Sequence, residues 1–443
     1  MNTTSVQRFT NKLKFDPITL LASFVFIGNL CAIITCVINS QIFKLTYPYN
    51  TYLFRPDDRF MDFFNPLRVA SSPYLQPVNA QWQQMPFFYF LTGLLKLLPH
   101  NLAFVLTLSI FWVSLAIICF LAIHTNNYWK TSFIAFILLT SYPVVFILDR
   151  GNLEMLFFLC LFIILILLKK RLYTISSLIL AGTMAFKPFA IFLLPLFLYK
   201  KRYLECIAIP IAAVLITVIS MTHFPGSVLH NYHNWMRNLT LYNSDYALNL
   251  EGIIGGNSIF GAIKLSLLIE HYPATLSNMQ AGLQAISQIY FYGTILLMVL
   301  ISYFIIRFRF EFWKKVALLI CCMNMFPTVS GDYRLIQFFI PLYFWLQSIR
   351  QRSKQETNGN TPQPDFTYTD YIYALLFALL LIPRNYYHFW GTELTTAVYT
   401  SPAIMLFFTS FIFIDYYLSN RQSNNPPNES HSELKLGSAS IKS

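Results

Sequence analysis

What this 443-residue chain has least of is charge. Asp, Glu, Lys and Arg make up 11% of it, less than half the roughly 25% of an average soluble domain. Apolar residues reach 56%, against roughly 45–50% elsewhere. That balance excludes a cytosolic globular enzyme, and it excludes a disordered chain. The seven cysteines (Cys31, Cys36, Cys119, Cys160, Cys206, Cys321 and Cys322) all fall in apolar segments. None is placed to staple an exposed loop, so they read as small hydrophobes. The sequence has no heptad pattern, nucleotide-binding loop, zinc finger, Ser–His–Asp order or internal repeat.

What it does have is long apolar runs such as Phe133–Leu139 and Leu156–Leu168, and a mean hydropathy of +0.52. A polytopic membrane protein follows. The net charge of +12 would suggest nucleic acid in a soluble protein. Here the basic residues sit at the ends of apolar segments and read as topology signals, so no nucleic-acid partner is expected. Apolar segments fall at 17–38, 101–123, 131–148, 153–168, 172–199, 204–222, 288–306, 316–328, 335–349, 371–383 and 397–418. The fold class expected is an all-α helical bundle of about 11–13 transmembrane segments. The first segment is too long for a signal-peptide core and is expected to remain as an anchor.

The stretch 172–199 is broken by Lys187-Pro188 and carries Lys-Lys-Arg or its like at 169–171 and 200–202. One crossing would strand a basic triplet on the wrong side, so two short crossings meeting at Lys187 are expected. Both termini are then cytoplasmic, and the cytoplasmic pieces hold 20 of the 31 Lys and Arg. Residues 1–349 would form the catalytic core, with external loops 39–100 and 223–287. A cytoplasmic linker (350–369), a C-terminal transmembrane pair (370–418) and a disordered cytoplasmic tail (419–443) would follow. With this orientation the unusual polar residues gather at one external surface, as in an active site built from loops.

Loop 39–100 contains Asp57-Asp58-Arg59-Phe60-Met61-Asp62-Phe63-Phe64. A carboxylate there can act as general base on a sugar or lipid hydroxyl, and the alternative is a solvated acidic turn. The aromatic neighbours of Asp62 predict a desolvated and therefore more basic carboxylate. Pro86–Leu98 would lie along the interface as an amphipathic helix. In Asp149-Arg150-Gly151-Asn152-Leu153-Glu154, Asn152 could cap a helix, and Arg150 could pair locally or hold a lipid phosphate. Lys187 needs a counter-ion, and a phosphate at the N-terminus of the second half-helix would supply one. His230 and His233 are spaced as two ligands on a helix face, yet no third ligand accompanies them, so an interfacial helix is expected and no metal. Gly256-Asn257-Ser258 reads as a turn. Ser330-Gly331-Asp332-Tyr333-Arg334 could cap a span, with Arg334 holding either Asp332 or a phosphate. Arg384, His388 and Glu393 are uncommitted. Asn238-Leu239-Thr240 matches a glycosylation sequon.

These pieces together resemble the integral-membrane glycosyltransferases of the GT-C type, and among them glycosyltransferase family 87, which includes polyprenol-phosphate-mannose-dependent mannosyltransferases. The resemblance rests on Met61-Asp62-Phe63 followed by Ala70, Tyr74 and Pro86-Phe87. It continues in Asp149-Arg150-Gly151-Asn152, in Gly182 through Lys187-Pro188 to Pro195-Leu196 and the basic 200–202, and in 256–258 and 330–333. It implies a GT-C-like fold and transfer of a sugar, mannose in that family, from a polyprenyl-phosphate donor at the external leaflet. The acceptor would be a lipid-linked or cell-envelope glycan, and the anomeric configuration would invert. The base implied is an Asp of the first external loop, which falls on Asp62 and second on Asp58. Arg150, Lys187 and Arg334 would hold the donor phosphate, and Asn152, Glu154, His233 and Asp332 are further site candidates. No cofactor is expected, and the family points to a bacterial inner membrane. A transporter, flippase or polymerase of lipid-linked saccharides is the rival reading. It would be expected to show mid-membrane charge and repeated halves.

Overall fold

The structure, a computed structural model, describes residues 16–70, 84–123, 125, 127–249, 253, 256–270, 276–356, 366–389 and 392–424. In chain order the helices begin α1 (Pro17–Gln41), α2 (Met61–Val69), α3 (Pro86–Leu95), α4 (His100–Ile123), α5 (Tyr128–Leu139) and α6 (Tyr142–Arg150). They continue α7 (Glu154–Lys169), α8 (Tyr173–Phe186), α9 (Leu194–Tyr199), α10 (Tyr203–Met221), α11 (Val228–Tyr242) and α12 (Ile259–Glu270). Last come α13 (Leu276–Arg307), α14 (Phe312–Met325), α15 (Phe339–Glu356), α16 (Tyr368–Leu381) and α17 (Ala397–Asn424). One antiparallel hairpin, β1 (Tyr386–Phe389) with β2 (Thr392–Thr395), sits between α16 and α17 and pairs Tyr386 with Thr395. This is an all-α polytopic membrane protein.

The helices divide into two classes. Among the described residues five stretches are long and apolar enough to cross a membrane: α1, α4, α10, Gly282–Arg307 of α13 and Ala397–Arg421 of α17. The bent pair α5–α6, turned by 51°, makes a sixth if counted as one span. Their outward faces are apolar, as with Phe26, Ile110, Val214 and Leu296. The second class is shorter and enclosed. Every residue of α14 from Trp313 to Met325 is buried, the mark of a helix apolar all round because protein surrounds it. Some of the eleven to thirteen expected segments, including 316–328 and 335–349, are inner helices of this kind.

Local chemistry sets the breaks. Asp16 caps α1 by accepting from the Thr19 amide at 2.7 Å, ahead of Pro17, and its ion pair with Lys130 ties α1 to α5. A Thr367–Asp370 capping box starts α16. Lys187 precedes a proline and is extended (φ −143°, ψ 115°), as such residues tend to be. Arg202 lies over the Tyr173 ring at 4.9 Å, and Lys169 donates to Gln347 at 3.0 Å. Both basic triplets therefore share one end of the bundle. The chain between them runs out to Lys187 and back. Past Lys187 it forms a 3-10 turn, Pro188–Leu193, before six α-helical residues. The α-helix N-terminus expected to face a phosphate is absent there.

Candidate active site

The end of the bundle opposite the basic triplets is assembled around the end of α6. Gly151 closes that helix with φ +60°, a backbone conformation that costs glycine nothing. A Cβ there would meet Phe63 at 3.2 Å and the Phe60 backbone at 3.3 Å, so the glycine also admits the loop before α2. The Phe60 amide donates to the Asp149 carbonyl at 2.9 Å. Phe60, Phe63 and Phe64 then gather around Phe104, with ring centroids 4.7–5.2 Å away.

Asp62 itself turns the other way. The Arg150 guanidinium grips it through Nη2 to Oδ1 at 2.9 Å and Nε to Oδ2 at 3.4 Å. The same side chain reaches the Asp58 carbonyl at 3.1 Å and carboxylate at 3.3 Å. Asn152 donates to Asp62 at 2.8 Å while accepting from the Glu154 amide at 2.8 Å. Asn152 thus starts α7 and orients the carboxylate at once. The apolar pocket expected around the Asp62 carboxylate is not there, because its aromatic neighbours pack on Phe104 and leave the acid to an ion pair.

Behind this wall lies a buried polar layer. Lys187 forms an ion pair with Glu154, whose side chain is 1% exposed. Gln337 donates to Glu154 at 2.6 Å and accepts from Asn324 at 3.1 Å. The counter-ion that Lys187 requires therefore comes from the chain itself, where the sequence suggested a phosphate. Arg334 stacks over Phe189 at 4.2 Å, close enough for its charge to act on both Glu154 and Lys187. Neither Arg334 nor Glu154 lines the cleft described next.

The facing wall joins two motifs distant in sequence. Gly256 and Gly331 form an antiparallel bridge, and the Asn257 amide donates to the Ser330 carbonyl at 2.6 Å. Ser258 Oγ donates to the Thr328 carbonyl at 3.2 Å. Asp332 follows, fully buried, and accepts from the Tyr142 hydroxyl at 2.7 Å. The Tyr386 hydroxyl of the hairpin stands 3.4 Å from that of Tyr142. Burial pushes the Asp332 carboxyl up to about 6, opposed by the Tyr142 hydroxyl, the Arg384 charge and the Asn257 amide.

Between the walls is a cleft of about 400 Å³, within the range of small-ligand sites. Asp58, Asp62, Arg150, Asn152 and Lys187 line one side, and Ser330, Asp332, Tyr333, Tyr242 and Phe146 the other. Phe88 and Tyr89 of α3 close one edge, so the expected interfacial helix is packed into the site. His233 is exposed on α11 and does not line the cleft. Among the described residues no group of three or more His, Cys, Asp or Glu is placed to hold a metal ion. Sequence reasoning missed Tyr142, Tyr386, Asn324 and Gln337. The two amides carried a usable signal, since polar side chains inside apolar segments need a partner.

The model of glycosyltransferase family 87 matches residues 82–326, more than half of the 443. The chain belongs to glycosyltransferase family 87. It is a membrane glycosyltransferase. No curated protein and no solved structure matches it. The family match covers Arg150, Asn152, Glu154 and Lys187, whereas Asp58, Asp62, Asp332 and Arg334 lie outside it. Folding is what brings Arg150, Asn152 and Lys187 of this glycosyltransferase to one cleft with Asp58, Asp62 and Asp332.

Proposed function

We propose that this enzyme moves a hexose, mannose in our reading, from a polyprenyl-phosphate donor to a lipid-linked or cell-envelope glycan at the external face. Asp62 is the base and the anomeric configuration inverts. The observation that carries this is the Asp62–Arg150 ion pair facing the cleft beside Lys187. A base and a phosphate-binding cation share one hydrogen-bonded unit.

In the reaction, Asp62 takes the proton of the acceptor hydroxyl, and that oxygen bonds to the anomeric carbon. The bond from that carbon to the phosphate oxygen breaks, and its electron pair leaves with the lipid phosphate. Fixed cations beside the leaving group stabilise the charge that develops there. Lys187 and Arg334 act on a single buried carboxylate, Glu154, so this trio holds more cation than anion, while Arg150 is shared by Asp58 and Asp62. Arg150 has a second task. Donor phosphate drawn to it loosens its grip on Asp62, so the base is released when the donor is in place. The external assignment rests on the basic triplets occupying the opposite end of the bundle.

The test offers purified protein radiolabelled polyprenyl-phosphate, polyprenyl-pyrophosphate and nucleotide-linked hexoses, each with and without EDTA. Consumption of monophosphate donors alone, unaffected by EDTA, is expected. Use of a nucleotide sugar would sink the donor assignment. Movement of intact lipid-linked sugar across liposomes without cleavage would return the transporter reading.

A further inference from the structure

The Asp332 wall has no part in the proton and phosphate chemistry just described, yet it is built for a ligand. Asp332 is fully buried and still lines the cleft. Tyr142 fixes its Oδ2 by donating a hydrogen bond, while its Oδ1 makes no hydrogen bond of normal geometry. Ser330 Oγ, buried on the same wall, is also without a partner. Buried polar atoms are nearly always satisfied, so such atoms beside a cavity call for a polar occupant. The ring of Tyr333 stands next to them, held by a close fit: a Cβ on Gly331 would lie 2.5 Å from it. Tyr242 adds a second ring, presented by a helix that passes into a π-turn at Asn243–Ala247, a device common at functional sites.

A carboxylate that accepts hydroxyl protons beside aromatic rings is the chemistry that holds a pyranose. Its hydroxyls bond to the acid and its C–H face packs on the rings. We propose that the Asp332 wall is a saccharide subsite, in which Asp332 Oδ1 and Ser330 Oγ bind hydroxyls of one hexose ring and Tyr333 and Tyr242 pack against it. This rests on the reading of the cleft as a hexosyltransferase site. Asp332 is here a binding residue, placed across the cleft from the base. The hexose could be that of the donor or the terminal ring of the acceptor, and the chemistry is the same.

The experiment is saturation-transfer NMR on the detergent-solubilised full chain, with methyl glycosides of mannose, glucose and galactose as probes. Wild type is expected to give a saturation signal with at least one of them. Asp332→Asn, which keeps the shape but removes the charge, should weaken that affinity about tenfold or more. Tyr142→Phe retains the carboxylate but frees its Oδ2, and should weaken binding in a protein whose fold is otherwise intact. Loss of the signal on adding polyprenyl-phosphate hexose assigns the ring to the donor, and persistence assigns it to the acceptor. No signal from wild type, or equal affinity in wild type, Asp332→Asn and Tyr142→Phe, would overturn the subsite. Hexoside binding without turnover of any lipid-phosphate donor would instead overturn the donor chemistry and leave the subsite standing.

Discussion

The two ends of this bundle are built from the same ingredients and differ in how those are closed. At the end bearing the basic triplets, Lys314 pairs with Asp415 at 2.8 Å and Glu311 at 3.3 Å. Glu311 also accepts from Trp313 and Ser348, Asp415 from Tyr373, and Asp370 from Arg352 and Thr367. Each of these three carboxylates has at least two partner residues. At the other end the ion pairs face a cleft, one cation pair shares a single carboxylate, and Asp332 Oδ1 and Ser330 Oγ make no hydrogen bond of normal geometry. Charge density alone does not mark a site. Charges left incomplete at a cavity do.

The comparison can be broken most severely at Lys187. Lys187→Met strands Glu154 as an unpaired buried acid, which should cost about 3–5 kcal/mol of stability, and it should cut transfer roughly 10²–10³-fold. The double change Lys187→Met with Glu154→Gln should recover the melting temperature but not the transfer. If transfer also recovers, Lys187 is a structural counter-ion and the two ends are alike. Lys314→Met is the matching change at the closed end. It strands Asp415 and should also cost about 3–5 kcal/mol, yet transfer per folded molecule should equal wild type. A loss of transfer in proportion would mean that the closed end is part of the machinery.

Asp332 sharpens the contrast through pH. Its carboxyl sits near 6 in the folded protein and near 3.8 otherwise, so the folded state holds the extra proton between those values. Stability contributed by this group is present below about pH 4 and falls as pH rises to about 6, by on the order of 3 kcal/mol. Asp332→Asn should remove that fall and raise the melting temperature at pH 7. Melting curves from pH 4 to 7 that are parallel for the two proteins would contradict the burial argument. The smallest effect is expected at Glu393, which anchors the loop before Asp58 through Arg55 at 3.2 Å and Tyr47 at 3.0 Å. Arg55 is 44% exposed, so Glu393→Gln should cost under about 1 kcal/mol. Transfer should drop only a few-fold in the same donor assay. A loss as deep as that of Lys187→Met would make this anchor part of the site.

The membrane class and the Lys187 break were legible because apolar length, proline and charge placement act locally. The first wall was legible for a related reason. Asp149 through Glu154 packs its polar groups into six residues, and Asp62 stands out in an aromatic loop. The second wall was not legible as a wall. Its parts come from residues 142, 256–258, 328–334 and 384–395, and contacts distant in sequence, such as the Gly256–Gly331 bridge and the Tyr142–Asp332 bond, join them. The Lys187 counter-ion was misjudged for the same reason, since Glu154 is 33 residues away. Which segments face lipid and which are enclosed by protein, as α14 is, was not legible, because apolar runs mark burial as well as lipid contact.

The central claim is that Asp62 is the base of a lipid-phosphate-dependent transfer. It is tested most directly by single-turnover consumption of radiolabelled polyprenyl-phosphate hexose by wild type and Asp62→Asn, matched for melting temperature. Release or transfer of sugar by wild type, with a fall of roughly 10²–10⁴-fold in the variant, is the predicted result. Equal rates in the two proteins would contradict the account and move the proton chemistry away from Asp62.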